Sequence, residues 1–149
     1  MDTDDIYSQA RTLTRIYIGS IWEAGKIDEA SLDGEEAQIF EIMSEHPEFI
    51  DIWDSLEEAD EDEIEIDGVN PLLHLSIHQT VENQVTINNP EITGQTIEKL
   101  IKHGMDRHEA IHAVGNVLID EMFYMGRDKR PFDEKRFSRK MRRLVKSLS

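Results

Sequence analysis

Apolar positions recur at three- and four-residue steps through most of the chain, the spacing of one face of a helix. Over residues 4–24, Ile6, Leu13, Ile16, Tyr17 and Ile21 fall near one face, and Gly25 is expected to end that helix. Asp33 with Glu36 three residues on reads as a capping box for a second helix, which carries Phe40 and Met43. The His46-Pro47 step breaks that helix and opens a third, since proline suits a first helical turn; Phe49, Trp53 and Leu56 form its apolar face. Residues 57–67 are an acidic connector, with Ile64 and Ile66 alternating with acids as a short extended piece. Ile64 falls where an EF-hand loop needs a third oxygen ligand, so a solvated loop is expected there rather than a calcium site.

Asn70-Pro71 predicts the start of a fourth helix, with asparagine as cap and proline first, and Asn89-Pro90 does the same for a fifth that Gly104 closes. Asp106 and Glu109 form another capping box, for a helix running to about Gly126, and a last helix spans roughly Asp133 to Lys146. No strand pattern, repeat or low-complexity linker interrupts this series. The expectation is an all-α, single-domain bundle of about six to seven helices over residues 1–149. Within it, 1–69 supplies the N-terminal helices and connector, 70–126 the histidine-bearing helices, and 127–149 a basic C-terminal helix.

At about 100° per residue, with His74 at zero, His78 falls at about +40° and Glu82 at about +80°. Leu73, Leu75, Ile77, Val81 and Val85 fill the same arc, so these polar groups sit inside an apolar stripe. On the sixth helix His108 and His112 repeat the pattern among Ile111, Val114, Leu118, Ile119, Met122 and Phe123. Gly115 there would let another helix approach closely, and Asn116 is a further polar candidate. Burying such groups without partners costs about 1–3 kcal/mol each. A metal ion held by His74, His78, His108 and His112, with Glu82 as ligand or orienting acceptor, would satisfy them together and make the protein a metalloenzyme or a metal-dependent sensor. That donor set suits zinc or iron, and nickel or copper, better than calcium or magnesium. The alternative is a hydrogen-bonded His/Glu core network that only fixes helix register. The protein would then be an interaction module, with its basic last helix or acidic face as the docking surface for a protein partner or a second copy.

His108-Glu109-Ala110-Ile111-His112 also fits the H-E-x-x-H pattern of zinc peptidases, with Glu109 as the catalytic candidate, and this is the third reading. Gly115 extends the match toward the metzincin form, but Leu118 stands where that form needs a histidine. Glu109 also has a competing task in its capping box. The paired Glu-x-x-His motifs of di-iron bundles are not present, because Pro71 and Leu75 precede His74 and His78 at that spacing; a dinuclear site of another kind, through Glu82 and Glu109, stays open. His46, before its proline, and His103, in a last helical turn, are expected to be structural.

Charge narrows the partners. The chain carries a net charge of -16, made of a surplus of +7 over residues 127–149 and a deficit of -23 before them. An acidic body repels nucleic acid and anionic membrane, so neither is an expected main partner. The final helix places Phe137, Met141, Leu144 and Leu148 on one stripe among arginines and lysines, and is expected to pack that stripe on the body. There is no cysteine, which excludes disulfides, thiolate ligands and cysteine nucleophiles and fits a cytoplasmic setting. The acidic start is unlike a secretory signal, and no phosphate-binding glycine loop or G-x-S-x-G motif occurs.

Asn70, Pro71, His74, His78, Glu82, Gln84, Pro90, Gly104, His108, Glu109 and His112 form a pattern that resembles an uncharacterised bacterial domain-of-unknown-function family, the 1841 type. The Arg130-Pro131-Phe132-Asp133-Glu134 segment followed by Phe137 is similar to that family's ending, so the resemblance covers residues 70–144. It implies a helical fold and marks the same histidines, with no activity attached.

Overall fold

The computed structural model describes residues 3–58 and 70–148, with side chains from residue 14 onward. Seven α-helices occur among the described residues: α1 (Thr3–Ile27), α2 (Gly34–Ser44), α3 (Ile50–Trp53), α4 (Pro71–Ile87), α5 (Glu91–Lys102), α6 (Arg107–Asp128) and α7 (Glu134–Lys146). The fold is all-α, as the periodicity predicts. The Ile6 and Leu13 side chains, and Ile64 and Ile66 with most of the acidic connector, lie outside the described residues. No helix among the described residues is long and apolar enough to cross a membrane. The chain packs as two compact units, Met1–Leu75 and Ser76–Ser149.

The first unit is built around flat rings. Trp22, Phe40, Phe49 and Trp53 are buried with Met43 and Leu56. Gly25 does not end α1, which continues to Ile27. Its role is close approach: a Cβ there would lie 2.2 Å from Cδ2 of the Phe40 ring. Phe40 in turn packs on Trp22, with ring centroids 5.3 Å apart. The indole N–H groups are both satisfied, Trp53 donating to the Met43 carbonyl at 3.1 Å and Trp22 to Asp54 Oδ1 at 2.7 Å. The hydrogen bond from Lys26, and then that from Trp22, hold the Asp54 carboxyl below its usual range. Asp33 stands at the N-cap of α2 without a side-chain cap bond, so the expected Asp33/Glu36 box does not form. Gly34 enters that helix at φ +60°, which changes the direction from which the chain arrives.

The second unit is mainly aliphatic at its centre, where Val81, Leu100, Ala110, Val114 and Met141 are fully buried around the single ring of Phe137. Asn70 caps α4 as expected, its Oδ1 accepting from the N–H groups of Leu72 at 2.9 Å and Leu73 at 3.2 Å. At α5 the cap position falls to Pro90 rather than Asn89, with no side-chain bond, and the helix begins at Glu91. Gly104, at φ +107°, closes α5, and the following Met105 N–H reaches back to the Leu100 carbonyl at 3.2 Å. Gly115 is a point of close helix approach, since a Cβ there would meet Ile77 Cγ2 at 3.0 Å.

α6 runs past Gly126 and is closed by Lys129 in the left-handed region. Its C-terminal half turns Leu118 and Glu121 inward, which leaves Ile119, Met122 and Phe123 exposed rather than in the core. Leu73 on α4 is exposed as well. Glu121 is fully buried and accepts two bonds from Arg130, at 2.8 and 2.9 Å, and one from the Asp133 N–H at 2.9 Å. This latch ties the end of α6 to the start of α7, where Asp133 caps the helix by accepting from the Arg136 N–H at 3.1 Å. Phe137 and Met141 then pack inward, while Arg136 lies 3.9 Å from the centre of the Tyr124 ring and Lys140 pairs with Asp120. The apolar stripe of α7 faces its unit as expected, except that Leu148 is exposed.

Candidate metal centre

The N-terminus of α6 fixes the first part of the site. The Glu109 N–H donates to Asp106 Oδ1 at 2.8 Å, and the Asp106 N–H donates to Glu109 Oε2 at 3.3 Å, completing the expected capping box. His108 therefore sits in a pinned first turn, with His112 one turn further along the same face. α4 supplies His78, which is 3% exposed. The three rings converge, with centroids 5.2 Å apart for His78–His108, 4.6 Å for His78–His112 and 4.3 Å for His108–His112. Each can offer one nitrogen such that these atoms lie within 4.8 Å of one another.

The other expected ligands are placed differently. Glu82 is gripped by Arg107 in a two-bonded ion pair at 2.6 and 2.8 Å. Arg107 immediately precedes His108, so the pair braces α4 against α6 beside the three imidazoles. Glu109 is exposed and engaged in its capping box, and Asn116 is exposed.

His74, in the first unit, lies with His46: their Nε2 atoms are 2.9 Å apart and the rings meet edge-on. His46 is buried, and its Nδ1 lies 2.7 Å from the Ile42 carbonyl, to which only a protonated ring nitrogen can donate. His46 Nε2 is then the acceptor and His74 Nε2–H the donor in the neutral pair. The sequence predicts a structural role for His46, before its proline, and does not pair it with His74. The available signal was its position four residues after Ile42 and three after Met43, two core residues of α2. His103 is exposed, with Nδ1 2.8 Å from the Lys99 carbonyl, in the structural role expected of it.

Glu121 is the buried ionisable residue the sequence reading passed over. Its bond with Arg130 holds the carboxyl below its ordinary range, against burial, which acts in the opposite direction. The signal lay in the helix arithmetic: seven residues after Val114, it falls within about 20° of that core position.

No curated protein and no solved structure matches the chain. A family model does, over residues 10–143, so the match extends well beyond the 70–144 of the sequence resemblance and takes in the N-terminal helices. By that match the chain belongs to the domain-of-unknown-function family DUF1841.

Proposed function

We propose that His78, His108 and His112 bind a single transition-metal ion, zinc or iron, in the second unit. The observation that carries this is the convergence of three imidazoles, from two helices, with ligand atoms within 4.8 Å of one another. Three nitrogens on a tetrahedral ion with metal–nitrogen bonds of about 2.0–2.1 Å are roughly 3.4 Å apart, within reach of small side-chain rotations. A neutral imidazole has one N–H and one lone pair, so three rings can aim three lone pairs at one cation. Nearby carboxylates are occupied: Glu82 by Arg107 and Glu109 by its helix cap. Glu82 acts through Arg107, holding the two helix faces in register. The peptidase reading loses its base, because Glu109 is committed to the cap. A second reading, a packed imidazole network without an ion, is favoured by the near-parallel stacking of His78 on His108, at 24°.

The test is metal content of untagged protein purified without chelator, with His112→Ala and Glu109→Gln beside wild type. The expected result is about one equivalent in wild type and in Glu109→Gln, and loss in His112→Ala. Cobalt substitution should give the intense visible bands of a tetrahedral site. Less than about a tenth of an equivalent in wild type, with no cobalt spectrum on reconstitution, would leave the network reading in its place.

A further inference from the structure

Beyond the histidines, the same face of α6 continues as an uncovered apolar ridge. Taking His108 as zero, Ile119, Met122, Phe123 and Gly126 fall at about +20°, -40°, +60° and 0°. The three side chains are exposed, Phe123 by 60%, and no atom of the described residues lies within 4 Å of where a Cβ on Gly126 would be. Ridge and notch thus stand seven residues apart, Ile119 and Gly126, about 10 Å along the helix. On one flank of the ridge, Asp120 and Arg127 have the same seven-residue spacing and opposite charge.

We infer that this ridge is a homodimer surface on which α6 packs antiparallel against α6 of a second copy. A two-fold axis near Met122 and Phe123 places Ile119 of one copy over the Gly126 notch of the other and packs Met122 against Phe123. In such a pair the same flank of each helix lies alongside its mate, so Asp120 of each copy comes level with Met125 of the other, and Arg127, about 3 Å further along the helix, reaches back to it with its long side chain. A patch that is complementary to itself is what an isologous interface requires. Asp120 now pairs with Lys140, and Arg127 with its neighbour Asp128. Both are surface pairs, held weakly enough to exchange partners. Three apolar side chains per copy form a small contact, so the association is reversible and concentration-dependent.

Sedimentation of the full chain should show the mass rising with concentration from 17.3 kDa toward twice that value. Phe123→Glu should hold it at the monomer mass with unchanged far-ultraviolet circular dichroism and metal content. Asp120→Arg should weaken association at least tenfold, and Asp120→Arg with Arg127→Asp should restore it. Because the chain has no cysteine, Phe123→Cys provides an independent reading: mild oxidation should yield a covalent dimer, and an exposed control, His103→Cys, should not. A wild type that stays monomeric at every concentration, an association untouched by Phe123→Glu, or equal cross-linking at both cysteines would overturn the proposal.

Discussion

The core of the first unit is a set of rings fitted around one glycine, and its polar contacts are made largely by those rings: indole N–H groups on a carbonyl and a carboxylate, and an imidazole on a carbonyl and a second imidazole. The second unit has aliphatic filling but hides a formal charge, the Glu121 carboxylate, and three imidazoles from facing helices. Shape is the exacting condition in the first case, charge in the second. A ring core fails when an atom is added where none fits. A core with a buried ion pair fails when the pair is broken or titrated, even if every apolar contact stays.

The largest expected effect tests the charge side. Arg130→Met leaves Glu121 buried without its partner and should cost about 3–5 kcal/mol in urea unfolding. Glu121→Gln should cost less, because Arg130 is partly exposed and can turn to water. Equal costs for the two would break the argument. Acid offers a second probe. Since Glu121 has a depressed pKa when folded, its contribution is complete above the ordinary glutamate range and is lost as pH falls through the lower folded value. Both tryptophans lie in the first unit. Apart from the change at Trp22 as its partner Asp54 is protonated, their fluorescence should therefore lag the loss of helical dichroism on acidification, and coincident transitions would show that the units respond as one.

On the shape side, Gly25→Ala should destabilise by about 1–3 kcal/mol, with Phe40→Leu in the same chain recovering part of the loss. No recovery would place the cost elsewhere than the ring contact. The smallest expected effect is at the edge of the histidine site. Asp106→Ala removes one half of the α6 cap and should cost about 1 kcal/mol, with weaker metal retention. An unchanged melting temperature would remove the cap from the argument.

The helices themselves were readable because their signals are local. Asn70, Gly104 and the Asp106/Glu109 box each act within a few residues, and each does in the structure what its spacing predicts. His108 and His112 were readable for the same reason, being one turn apart on one helix. Gly25 was misread as a stop because its function depends on Phe40, fifteen positions away and on another helix. The Asp33 box failed because the backbone of Gly34 decides the angle of entry. Ile119, Met122 and Phe123 carry the periodicity of a buried face, yet periodicity does not tell which end of a long helix its neighbours cover. Glu82 was placed on the right face, but its partner Arg107 lies twenty-five residues on, and no short-range pattern joins them.

The Asp106–Glu109 box also has a kinetic consequence. Helix ends fray on fast timescales, and a side chain on a fraying turn must wait for its own backbone before it can bind anything. With both ends of that box closed, His108 presents its ring from a turn that is already ordered, so little backbone freedom remains to be lost when a ligand arrives. Were the three imidazoles to take up an ion as proposed, their rotation would work against the neighbouring Glu82–Arg107 brace, whose exposed arginine makes it sensitive to salt. Metal uptake should accordingly quicken as ionic strength rises, the reverse of what simple attraction of a cation to an acidic protein would produce.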